Sequence, residues 1–463
     1  MKTKQLFSLL FLFFSLSIQA EIKLPQIIAN NMILQQQTQA KIWGWTTNND
    51  VINITTSWDN ISYKAIPQNG LWSVKVATPK ASYQAYEITI SDKKDKIKLS
   101  NILIGEVWFC SGQSNMCLPV SGSLNQPQEG SLNDIALSEN NNIRMYTVKR
   151  KTSDTPYADT EGSWEIAHPS TTGKFSAVAY YFGSMLQKVT KYPIALIYCA
   201  WGGTPIEAWM SNDISTPDAK VTLAHKKPSS LYNGMTHSVV GYSIKGAIWY
   251  QGEGNRFTPH KYPAQFQAMH KDLQNKWDLG EFPFYLCQIA PYSYNKNEIN
   301  SAFMREAQLK IAQTQKNTAI AILMDAGEER CIHPREKRKA GERLAYIALA
   351  KNYGYTTLQY IAPTYKSVKF EGRTAILSFD NNEYGFDKKN IITEQFEVAG
   401  EDKVFHPATQ VKVINHEINV TSDKVKSPKA VRYAFKNYIK GALYGANNLP
   451  VSSFRTDDWD EVN

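Results

Sequence analysis

Cysteine is scarce in this chain of 463 residues, with five in all (Cys110, Cys117, Cys199, Cys287 and Cys331). So few, odd in number and widely spaced, they exclude a disulfide-stapled scaffold, and no paired Cys spacing or His-Glu-x-x-His offers a zinc site. Cys110 and Cys117 could bridge in an oxidising compartment, and buried free thiols are the alternative. Long apolar runs are nearly absent too. The one candidate, Leu6 to Leu16, follows Met1-Lys2-Thr3-Lys4 and ends in Ser17-Ile18-Gln19-Ala20. That is the pattern of a cleaved signal peptide (1–20) rather than of a membrane span, which needs ~20 apolar residues. The expectation is a secreted or periplasmic protein without a membrane span. The formal charge of +9 comes from scattered lysines. The small clusters Lys93-Lys94-Asp95-Lys96 and Arg335 to Lys339 read as solvated faces, and with no nucleic-acid module present no nucleic-acid partner is expected.

What is present divides into three rhythms. From Glu21 to about Ser100, short alternating runs such as Ala40-Lys41-Ile42-Trp43-Gly44-Trp45 are separated by turn clusters, which predicts a small β-domain (21–100) without chemistry of its own. Between residues 101 and 355, apolar bursts of strand length alternate with amphipathic stretches of helical length, the mark of an α/β domain with a parallel sheet. Strands are expected at Ile102–Phe109, Pro193–Cys199, Ile244–Tyr250, Pro283–Ile289 and Thr318–Asp325. Helices are expected at Ser176–Lys188, Ala264–Trp277, Ser301–Gln315 and Glu336–Ala350. Residues Ser121 to Gly173, rich in Asn, Ser, Asp and Thr, read as long loops over a crevice. From residue 356 to 463, β-runs return and predict a C-terminal β-sandwich.

The chemistry is expected where the parallel strands end, because those loops share one rim. Ile102–Phe109 runs into Ser111-Gly112-Gln113-Ser114-Asn115, where a serine on a tight turn would project from the sheet edge; the same cluster also suits a plain helix cap. Pro193–Cys199 leads to Trp201-Gly202-Gly203-Thr204, Ile244–Tyr250 to Gln251-Gly252-Glu253-Gly254-Asn255, and Thr318–Asp325 to Glu328-Glu329-Arg330-Cys331-Ile332-His333-Pro334. A serine nucleophile needs a neighbouring imidazole, and of eight histidines His333 alone follows a predicted strand of the sheet. Oxyanion donors would be the Ser114 N–H, the Gly202 or Gly203 N–H and the Gln251 amide. Gln113, Asn115, Glu253 and Asn255, on the same loops, are the candidate substrate contacts.

The segments Gly105 to Met116, Trp201 to Trp209, Tyr232-Asn233-Gly234-Met235, Trp249 to Glu253, Ile332-His333-Pro334 and the closing Pro450 to Asp457 together resemble the sialate O-acetylesterase family, a branch of the SGNH hydrolases, over nearly the whole mature chain. The resemblance implies a flavodoxin-like three-layer domain with β-domains around it. It also implies cofactor-free, metal-independent removal of O-acetyl groups from carbohydrates such as O-acetylated sialic acids. By motif it makes Ser114 the nucleophile, His333 the base, and Gly203 and Gln251 oxyanion donors. Three positions depart from the family pattern. Cys331 stands where an aspartate is common, which leaves Glu329, then Glu328, as candidates to orient the imidazole, with Asp325 as a possible strand cap; Gly254 and Cys117 also differ. An acetylesterase of plant or bacterial polysaccharide, such as acetylated xylan, and a glycan-binding protein without turnover are the competing readings.

Overall fold

The computed structural model describes residues 22–159 and 161–459; the expected signal segment lies outside the described residues. Six parallel strands organise the chain: β1 (Lys96–Gly112), β2 (Asn140–Thr147), β3 (Ile194–Ala200), β4 (Gly246–Tyr250), β5 (Phe284–Cys287) and β6 (Thr318–Ala321). They lie in the spatial order β2-β3-β1-β4-β5-β6, with Trp164–Ala167 antiparallel on the outside of β2. Their residues are apolar on both faces, as a sheet covered twice requires. On one face Phe109, Ile197, Trp249 and Leu286 pack against α2 (Tyr262–Trp277) and α3 (Ala302–Thr314) through Phe266, Met269, Met304 and Ile311. On the other, Trp108, Leu196, Ile248 and Tyr285 pack against α1 (Ala177–Thr190) and α4 (Lys337–Asn352) through Phe182, Leu186, Leu344 and Ile347. Ser176 caps α1 by accepting a hydrogen bond from the Ala179 N–H at 3.2 Å.

The four helices expected from periodicity form within a few residues of their expected ends, while β5 and β6 stop short of the apolar runs that announced them. The expectation of loops between Ser121 and Gly173 is corrected. This stretch holds a helix (Ser131–Ala136), the parallel strand β2 and the edge strand Trp164–Ala167. Its polar opening, Asn140-Asn141-Asn142, and Arg144 disguised β2. Arg144 is buried, and donates to the Asn141 and Asn31 carbonyls at 2.9 and 3.1 Å.

No linker separates the N-terminal β-region from the parallel sheet. β1 is a single strand of 17 residues whose first half pairs with Ser82–Ser91 and with Ile33–Gln35, and whose second half pairs with β3 and β4. The division expected near residue 100 therefore falls inside a strand. At the other end, two four-stranded antiparallel sheets share one apolar core that includes Leu377, Ile418, Val398, Tyr433 and Phe454. The closing segment seats this sandwich. Ser452 accepts from Gln288 Nε2 at 2.8 Å, Ser453 from Arg305 Nε at 3.1 Å, and Arg455 pairs with Glu306 on α3.

Asp325, four residues beyond β6, accepts two hydrogen bonds from Arg343 at 2.6 and 2.7 Å and one from the Tyr444 hydroxyl at 3.2 Å, so it joins α4 to the sandwich. Burial opposes ionisation of this carboxyl, but the Arg343 hydrogen bonds and charge outweigh it and hold its pKa below the usual range. Its contribution to stability is therefore complete above about pH 4 and fades as the pH falls through the folded-state value. Asp325→Asn should cost about 3 kcal/mol at neutral pH, since it strands a buried guanidinium. Urea unfolding reads this directly, and a midpoint equal to wild type would contradict it.

Candidate active site

Strand register brings the site together. Gly112 lies opposite Ala200 on one side and Tyr250 on the other, so three strands end at one level. The ladder continues one residue further, with the Gln113 N–H donating to Tyr250 O at 2.9 Å and the Trp201 N–H to Gly112 O at 3.2 Å. Gly112 has φ +144°, and a Cβ there would sit 2.2 Å from Tyr250 O, so only glycine lets the strands close this tightly. The next residues are Ser114, which starts a one-turn helix (Ser114–Cys117), and the Gly202-Gly203 pair. A Cβ on Gly202 would lie 3.3 Å from that of Ser114, whereas one on Gly203 would meet nothing within 4 Å. The glycine loop thus lies against the serine and then opens to solvent. Among the described residues, neither the Ser114 nor the Gly203 N–H has a hydrogen-bond partner.

The remaining loop arrives through Asn115. Its side-chain amide donates to Glu253 Oε1 at 2.6 Å and to the Ile332 carbonyl at 3.1 Å, which ties the residue after Ser114 to the residue before His333. His333 is half-buried, and burial, followed by the charge of Lys337, lowers its pKa from the ordinary histidine value. Its Nδ1 is buried without a partner, and no direct hydrogen bond joins it to Ser114 among the described residues. Contacts of this kind are commonly loose in a resting site and tighten with substrate.

The other residues expected at the site are used inward. Gln251 is fully buried; its amide donates to Thr204 O at 3.1 Å and Asn255 Oδ1 at 2.7 Å, and its Oε1 accepts from Tyr262 at 2.7 Å. Both amide protons being engaged, it holds two loops together and has none free to offer an oxyanion. Asn255 also accepts from the Ile206 N–H and donates to Glu207, Gln113 Oε1 accepts from the Gly254 N–H at 3.0 Å, and Glu253 faces Asn115. Gln113, Asn115, Glu253 and Asn255 are all buried, so they frame the site and do not face a substrate. Neither glutamate reaches the imidazole. Glu328 accepts from the Arg335 N–H at 2.7 Å and pairs with its guanidinium, and the Glu329 side chain is exposed. Cys331 turns its thiol to the His333 carbonyl at 3.2 Å. All five cysteines are free thiols, Cys110 and Cys117 included.

Sequence reasoning missed three further residues at this rim. Arg150, exposed, donates from Nε to the Ala200 carbonyl at 3.4 Å, interacts electrostatically with Cys117 and Tyr198, and lies 5.8 Å from the Trp201 ring centre. Trp201 in turn stacks on His225 at 5.3 Å, with the ring planes 8° apart. The signal for Arg150 is the basic run Lys149-Arg150-Lys151 after β2, a strand that reads as loop, and Trp201 opens the Trp201-Gly202-Gly203-Thr204 loop already expected at the rim. Among the described residues Arg150 has no carboxylate partner. No helix there is long and apolar enough to cross a membrane.

With this geometry established, comparison with known proteins is informative. Residues 104–349, more than half of the chain, match the model of the carbohydrate esterase family described as the sialic acid-specific acetylesterase. The human sialate O-acetylesterase is 29% identical over 401 residues, covering 76% of this chain and 75% of its own length; the rat enzyme is 27% identical over 429 residues. The crystal structure of a carbohydrate acetylesterase from Xanthomonas citri superposes with a TM-score of 0.87 at 31% identity, and covers 95% of this chain and all of that one. A family model that spans β1 to α4 and a solved relative that matches end to end lead to one conclusion: the chain belongs to this carbohydrate esterase family and is a carboxylic ester hydrolase.

Proposed function

We propose that the protein removes O-acetyl groups from carbohydrates, O-acetylated sialic acids first among them, through an acetyl-enzyme on Ser114 in an SGNH-type fold, and that it is exported. The observation that carries this reading is the meeting of Ser114, the open Gly203 N–H and the His333 loop at one strand-end rim. Ser114 Oγ attacks the acetyl carbonyl carbon while His333 takes its proton. The Ser114 and Gly203 N–H groups receive the negative charge that develops on the carbonyl oxygen. His333 then returns the proton to the sugar oxygen as the C–O bond breaks, and a water, deprotonated by the same ring, releases acetate and regenerates the serine. The exposed guanidinium of Arg150, which interacts with Cys117 one helical turn on from Ser114 and has no carboxylate partner among the described residues, supports an acidic sugar as substrate. The second reading is an acetylated polysaccharide such as xylan, with which the likeness to the Xanthomonas citri carbohydrate acetylesterase is equally compatible.

Ser114→Ala should lower acetate release by at least about 10³-fold. Surviving turnover would remove the mechanism, and an inactive wild type would favour glycan binding. Acetate release from O-acetylated sialosides should exceed that from acetylated xylan, and the reverse order would select the polysaccharide reading. Because His333 must be neutral to act as base and its pKa is lowered, the acid limb of kcat/KM should fall below the ordinary histidine value of about 6.5. A limb at or above that value would contradict the assignment. Neither glutamate touches the ring, so Glu328→Gln and Glu329→Gln should each stay within about threefold of wild type, far from the ~10⁴-fold that loss of a triad acid costs.

A further inference from the structure

Three successive backbone carbonyls at the proposed base, those of Ile332, His333 and Pro334, are held by side chains. Asn115 Nδ2 donates to Ile332 O, the Cys331 thiol to His333 O, and the Lys337 ammonium to Pro334 O. Lys337 is the unexpected member. It is the first residue of α4, its side chain is 1% exposed, and among the described residues no carboxylate lies within ion-pair distance of it. Burying an ammonium against one neutral acceptor is costly, and such groups are retained chiefly where they serve a site. The carboxylate that acts on it most strongly is Glu253, which also holds Asn115.

We propose that Lys337 and Glu253, two buried charges that are not in ion-pair contact, act together to position His333 through its backbone, with Lys337 on the Pro334 carbonyl and Glu253 acting through Asn115 on the Ile332 carbonyl. This pair takes over the orienting role of an acid on the imidazole and not its charge-stabilising role. The inference rests on the Ser114–His333 reading. The charged and titratable groups facing the His333 loop are Lys337 from α4, Glu253 from the loop after β4, Cys287 at the end of β5, and Cys331 and Glu328 from the loop itself. Lys337 acts on His333 in two ways. It fixes the loop, and its positive charge, second to burial, disfavours the imidazolium and so keeps the base neutral at lower pH. Burial also brings the lysine's own pKa down to about 8, with Glu253 opposing that fall. The pair should therefore work over a window bounded below by His333 protonation and above by Lys337 deprotonation.

The test is the pH profile of acetate release from an acetylated sugar ester, measured on the full chain together with its thermal unfolding midpoint. Wild type should show an alkaline inflection near pH 8. Lys337→Met should lose about 10²-fold in kcat, as a misplaced base does, with KM little changed. It should also move the acid limb to higher pH and abolish the alkaline inflection. Glu253→Gln, which removes the group that raises the lysine's pKa, should move the alkaline limb to lower pH. That second variant carries the test if Lys337→Met does not fold. A folded Lys337→Met with wild-type kcat and an unmoved acid limb overturns the proposal, as does an alkaline limb that does not move in Glu253→Gln. Ser114→Ala, measured alongside, separates the two levels of the argument. Turnover that survives it overturns the site reading and this proposal with it, whereas an inactive Ser114→Ala beside an unaltered Lys337→Met profile overturns this proposal alone.

Discussion

The structure depends on a few backbone hydrogen bonds that bring three parallel strands to an end at one level. Where Gly112 meets Ala200 and Tyr250, the chain can turn outward three times within a few ångströms. A slip of one residue in either pairing would exchange the two apolar faces of the shifted strand and carry the glycine loop away from Ser114. The close approach at Gly112 leaves no room for such a slip, because the Tyr250 carbonyl already occupies the space a side chain would need. Chemistry in this protein is in that sense a consequence of sheet register.

Around that rim, polar side chains are spent on holding loops. Gln251, Asn255, Glu207 and Gln113 tie the loops after β1, β3 and β4 together, and Asn115 adds the loop that carries His333. Buried amides and carboxylates are costly unless satisfied, and once satisfied they fix one arrangement of the backbone. The groups left over for the proposed chemistry are few: the serine, the Gly203 backbone, the imidazole, and the wall formed by Arg150, Trp201 and His225. A rigid rim with few exposed groups suits a reaction whose main requirement is a preorganised place for negative charge.

The flanking β-regions extend this scaffold. The N-terminal region shares β1 with the catalytic sheet, so nothing hinges between them. The C-terminal sandwich is fastened through Arg305, Gln288 and Asp325, buried or nearly so, to the outer strands and helices that carry the His333 loop. The sandwich and the His333 loop are mechanically linked, since α4 bonds to Asp325 through Arg343 and to the Pro334 carbonyl through Lys337.

The amino-acid sequence by itself determined the α/β class, the helices, most of the parallel strands and the four loops that converge, because apolar periodicity and turn chemistry are local and survive in a linear reading. It did not reveal β2, whose polar opening and Arg144 look like a loop until Asn31 and Asn141 arrive to satisfy the guanidinium. Nor did it reveal what the polar loop residues do. Gln251, Glu253 and Asn255 read as groups offered to a substrate, and only the packed molecule shows them turned inward on one another. Lys337 is the sharpest case. A lysine opening a helix beside Arg335 and Arg338 reads as solvated surface, and the tertiary structure alone buries it beneath Pro334, because burial is decided by what packs above a residue and not by its neighbours in the chain.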